Sequence, residues 1–158
     1  MTLLEVMVSV VLLSIAGAAV LPVMDAAARL YAESAGTRGE TGRLRYAMDR
    51  IVRVLREAPA GATPGSIGLS RLYASAVEFE DGAGLALEDG VLRIRHPDLG
   101  EGVLLTGVVA FSIVALDEDG ARELRDGDAA RADRFRVTLA TGRAELRTAV
   151  FPRVRMTR

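Results

Sequence analysis

A chain of 158 residues and 16.8 kDa has room for one domain, or one small domain with an appendage. Its 20 basic residues are all arginine and face 21 acids, so no overall positive field is available to hold nucleic acid. With no cysteine, no lysine and one histidine, the chain has no disulfide framework, thiolate zinc site, multi-histidine metal site, cysteine nucleophile, Schiff-base lysine or P-loop lysine. The apolar residues, half of the total, are concentrated at the start. Glu5 and Asp25 are the only charges in the first 25 residues, and 19 uncharged positions separate them. As a helix these cover about 28 Å, close to the roughly 30 Å hydrocarbon core of a bilayer. Only Ser9, Ser14, Gly17 and Pro22 interrupt the aliphatics. The segment is expected to span a membrane as a helix, which satisfies its own backbone in lipid. A cleaved secretory signal would open with basic residues, whereas here the first charge is acidic.

The helix is expected to continue past Asp25. Pro22 should kink it, and Gly36, Gly39 and Gly42 should fray or melt its middle. Leu44, Ala47, Met48, Ile51, Leu55 and Ala58 recur at three- and four-residue spacing, with arginines on the other faces, which predicts an amphipathic helix laid on a globular domain. Pro59 and Gly61, then Thr63-Pro64-Gly65, end it. After residue 66 the pattern turns to strands. Val77 and Phe79 alternate with acids, Leu85 to Leu87 and Val91 to Ile94 flank the hairpin dipeptide Asp89-Gly90, and Val103 to Leu116 is a long β-rich run bounded by Asp117-Glu118-Asp119-Gly120. Phe135, Val137 and Leu139 share a face, Gly142 turns the chain, and Leu146 and Val150 point inward before Pro152. The fold class is therefore α+β, a long N-terminal helix packed on antiparallel sheet. The expected divisions are 1–24 for the transmembrane and assembly helix, 25–58 for its amphipathic continuation and 59–158 for the β domain.

Few residues carry chemistry. Glu5 has two readings. It is a helix-start acid at the membrane interface, or a carboxylate waiting for a cation from a partner chain, since a charge inside a membrane is costly. His96, alone and before Pro97, reads as a turn residue. Asp117, Glu118, Asp119, Asp126 and Asp128 are hard oxygen ligands, yet their spacing is not that of an EF-hand loop, and Asp-Gly turns explain them more simply. Ser14 and Ser70 have no evident base. No catalytic constellation emerges, so no enzyme activity, cofactor, metal or small-molecule substrate is expected. Residues 1–25 carry −2, 26–58 +3, 59–130 −8 and 131–158 +6, a polarity suited either to a solvated mixed surface or to a molecule whose ends dock on different neighbours. The tail arginines Arg153, Arg155 and Arg158 lack the interleaved aromatics of a nucleic-acid surface, and no nucleic acid is expected.

The opening Met1-Thr2-Leu3-Leu4-Glu5-Val6-Met7-Val8 resembles the mature N-terminus of the type IV pilin family, with Glu5 on that family's charged position and Pro22 where many members carry proline. Met stands at position 1 where Phe is usual. No leader precedes it, so the resemblance reads the chain as a mature form or a truncated frame. The helix end from Met48 to Glu57, the run from Leu104 to Phe111, the acidic turn and the strand Phe135 to Leu139 are similar, in order, to the J-type minor pseudopilins of type II secretion. The W-type minor pilins of type IV pili share this layout. The resemblance implies a pilin fold and methylation at Met1 after cleavage by a prepilin peptidase. It implies that Glu5 pairs with the N-terminal amine of a neighbouring subunit. It also implies partnership with other minor and major pilin-like subunits at a pseudopilus tip, and a single-pass inner-membrane protein with a periplasmic domain in a Gram-negative-type bacterium.

Overall fold

The computed structural model describes residues 2–156, and the side chains of 33–35, 37, 126, 127, 155 and 156 lie outside that description. The fold is α+β: one long helix followed by antiparallel strands. Helix α1 runs Leu3–Arg56, 54 residues. Its start is set by Thr2, whose carbonyl accepts from Glu5 N at 3.0 Å and Val6 N at 3.3 Å. Its end carries Arg53 and Arg56, cations placed where the last carbonyls leave partial negative charge. Glu57 closes a final turn onto the Arg53 carbonyl at 2.9 Å. Pro59 then disfavours helical geometry for the residue before it.

The expected melting at Gly36, Gly39 and Gly42 does not occur, because α1 is unbroken through all three and through Pro22. Each glycine costs about 1 kcal/mol relative to alanine, which weakens a helix without forbidding it. The glycines are spaced among good helix formers such as Ala32, Arg38 and Glu40.

The chain forms two compact units, Met1–Gly39 and Glu40–Arg158. In the second, residues 40–56 of α1 are followed by nine strands in two sheets. The first sheet is a meander of β1 (Leu69–Tyr73), β2 (Ala76–Phe79), β3 (Gly84–Glu88), β4 (Val91–His96) and β5 (Gly100–Thr106), hydrogen-bonded in that order. Asp89 and Gly90, with φ of 49° and 74°, close the two-residue β3–β4 loop as a type I′ turn, so the dipeptide acts as expected. The second sheet contains β6 (Val108–Leu116), β7 (Glu123–Leu124), β8 (Arg134–Thr141) and β9 (Glu145–Val150) in the order β7-β6-β8-β9. A 3₁₀ turn, Asp126–Arg131, precedes β8, and a short α2, Arg153–Met156, follows β9.

The long β-rich run from Val103 to Leu116 divides between two strands in two different sheets. Gly107, at φ 73°, takes the left-handed conformation between them, and the chain changes sheet there. A continuous apolar run hides such a break, because both strands bury side chains in one core.

That core gathers Leu44, Ala47, Met48, Ile51 and Leu55 of α1 and Ala58 just past its end, each buried. Val77, Phe79, Leu85 and Leu92 join from the first sheet, and Phe111, Ile113, Phe135, Val137, Leu139 and Val150 from the second. No polar or charged side chain is buried among the described residues, so aliphatic and phenyl packing holds this unit together.

Candidate membrane and assembly helix

The first unit is helix alone. Within it, Leu3–Ala32 is a 30-residue stretch long and apolar enough to cross a membrane, with a mean hydropathy of 2.5 in its most apolar window and none of that window buried. Leu4, Leu13, Leu21 and Met24 are 74%, 78%, 69% and 66% exposed. A helix that is apolar all round, with no side shielded, requires an apolar surrounding. The few polar groups are largely turned back on the helix itself. Ser9 Oγ donates to the Glu5 carbonyl and Ser14 Oγ to the Val10 carbonyl, each at 2.8 Å, which hides both hydroxyl protons. Asp25 and Arg29, one turn apart, form an ion pair at 2.8 Å.

Glu5 occupies the first turn of α1. Its Oε2 accepts from the Thr2 backbone N–H at 3.4 Å. Thr2 and Glu5 thus form half of a capping box, in which an acid three residues into the helix reaches back to the residue that starts it. The contact fits the expectation of a helix-start acid, and the Thr-x-x-Glu spacing is its signature in the sequence. Among the described residues the carboxylate meets no cationic side chain. Met1, the residue the resemblance assigns to methylation, lies outside the described residues.

The other candidate residues serve the second unit's own loops and strands. Asp117 Oδ1 accepts from Ala121 N and Arg122 N at 3.1 Å each, an Asx-type closure of the acidic turn. Glu118 offers its carbonyl to Arg134 Nη2 at 2.8 Å. No group of three or more His, Asp or Glu residues able to hold a metal forms among the described residues. Side-chain placement of Asp126 lies outside the described set. His96 ends β4, where the sequence suggested a turn, and its Nδ1 accepts from Asp98 N at 3.3 Å. Arg153 is exposed at the start of α2, while Arg155's side chain and Arg158 lie outside the described residues.

The outer face of the first sheet holds a charged lattice that sequence reasoning missed. Arg93 reaches Glu101 at 3.1 Å and Glu88 at 3.7 Å, while Arg95 reaches Glu78 at 3.3 Å and Glu101 at 3.5 Å. These residues line a shallow pocket of about 130 Å³ with Tyr73 and Arg71. Alternating Arg93 and Arg95 on β4 were the available signal, but their partners lie on β2, β3 and β5 and depend on strand order. The lattice sets two arginines against three glutamates, and Arg71 on the same pocket supplies the third positive charge.

The chain matches no protein-family model, no curated protein and no solved structure.

Proposed function

We propose that this protein is a membrane-anchored assembly subunit, a J-like minor pseudopilin that joins other minor and major pilin-like subunits at the tip of a pseudopilus for protein secretion. The observation that carries this reading is the N-terminal helix. It is apolar on every side, it is unburied over its membrane-length window, and it bears a single carboxylate at its first turn, ahead of an antiparallel β unit. A carboxylate in that position is expensive in lipid unless a cation neutralises it. The Thr2 N–H offsets only part of the cost. The N-terminal amine of a neighbouring subunit supplies the missing charge, so pairing favours leaving the bilayer for the filament. In this reading the inner membrane holds the helix, the β unit faces the periplasm, a prepilin peptidase prepares the N-terminus, and assembly replaces catalysis.

The test is substitution of the carboxylate. Glu5→Ala and Glu5→Leu should leave thermal unfolding of the β unit unchanged and abolish incorporation into filaments, measured by shearing and sedimentation. Normal secretion with either variant would sink the mechanism. The N-terminal mass of the protein from its native membrane is the companion measurement, and a methylated first residue is expected. A retraction motor encoded beside it would favour a type IV pilus minor pilin, and an unprocessed N-terminus a single-pass anchored binding domain.

A further inference from the structure

The secretion reading does not use two features at opposite ends of β5. At its start, the β4–β5 connection presents Leu99, 82% exposed and the most exposed large apolar side chain among the described residues of the second unit. Gly100, at φ 78°, turns the chain there, and the His96 Nδ1 contact holds Asp98 N at 3.3 Å. The exposed Asp98 carboxylate has no ion-pair partner among the described residues. At the far end of β5, Val103, Leu104, Leu105 and Thr106 form one wall of a groove of about 360 Å³, and Gly42, Arg43 and Tyr46 of α1 form the other. Tyr46 and Val103 are 67% and 58% exposed, and a side chain at Gly42 would meet nothing within 4 Å. Exposed Arg43 at this groove is unpaired among the described residues.

We propose that these are two halves of one contact between copies of this chain: the hairpin tip of one copy seats Leu99 against Tyr46 and Val103 of a second copy, and Asp98 meets Arg43. An apolar knob beside a carboxylate faces an apolar groove beside a guanidinium, so shape and charge match together. Four residues of extended strand separate Leu99 from Val103, roughly 13 Å and more than a leucine side chain spans, so a copy cannot fill its own groove. The contact joins two different surfaces, so its repetition either closes a ring or runs on as an open row. It draws on residues 42–106 alone and does not depend on Glu5, so it stands or falls apart from the secretion reading, in which the neighbours are other subunits.

The chain has no cysteine, which makes single-thiol cross-linking clean. Leu99→Cys keeps a small apolar side chain at the tip, and Thr106→Cys places a thiol on the groove wall. Both positions are exposed, so neither change touches the core. Full-length proteins in detergent are mixed and treated with a short bismaleimide. The mixture should give a cross-linked dimer that neither variant gives alone, and a chain carrying both substitutions should give a ladder. Asp98→Arg on the tip-bearing copy should lower the dimer yield by about fivefold, the effect of losing an exposed charge pair, and Arg43→Asp on the groove-bearing copy should restore it. A mixture that cross-links no better than the separate variants, or a yield indifferent to Asp98→Arg, overturns the proposal.

Discussion

Helix α1 is one element in two environments. Through residues 3–32 its leucines, valines and methionines project in every direction and meet no protein. Through residues 44–55, Leu44, Ala47, Met48, Ile51 and Leu55 fall on one stripe and are buried, while Arg43, Arg45, Arg53 and Arg56 stay exposed. Backbone geometry is common to both stretches. What differs is the angular spread of apolar side chains, and that spread decides whether helix or sheet neighbours can remove them from water. The first stretch has no protein surface to bury against and so needs lipid or other helices. The second completes a core that two sheets supply.

Substitutions sharpen this contrast in order of expected effect. Ile51→Ala removes a fully buried side chain and should lower the unfolding free energy of the β unit by about 2–5 kcal/mol, read by denaturant titration of the full chain in detergent. Leu13→Ala, the same kind of truncation in the first stretch, should leave that transition unmoved, and an equal loss at both positions would break the comparison. Leu13→Arg should penalise membrane insertion by roughly 2.5–3.5 kcal/mol, measured as the inserted fraction in a translocon assay, without shifting unfolding of the β unit. The smallest shift to be detected belongs to Gly42→Ala, where a methyl group meets nothing within 4 Å and the helix gains up to about 1 kcal/mol, visible as a small rise in melting temperature.

Local pattern made much of this molecule legible. The period of 3.6 marked the buried stripe of α1 from Leu44 to Leu55, and the period of two marked Val77 with Phe79 and Phe135 with Val137 and Leu139, because each pattern reports which side of an element faces a core. Asp89-Gly90 was readable because only residues tolerant of positive φ close a two-residue hairpin. Strand β1 was harder to see. A register shift between Leu69 and Arg71 breaks its alternation. The break at Gly107 was also hidden, because Leu105 and Val108 on either side of it are both buried, and composition cannot distinguish one long strand from two that enter the same core. At the candidate site the charge of Glu5 stood out, while its bond to Thr2 N–H depends on the rotamer of the glutamate, which residue type alone does not fix.

By itself, the sequence determined the α+β class, the membrane-length apolar helix, the buried stripe of α1 and the singular position of Glu5, all properties of residue type and spacing along one element. Only the tertiary structure decided that the strands divide into five and four, that Arg93 and Arg95 are shared among Glu78, Glu88 and Glu101, and that Leu99 and the Tyr46 groove stand at opposite ends of one strand. Those facts depend on which strands lie side by side. Neighbouring strands are chosen by packing the whole core at once, and no single segment carries that choice.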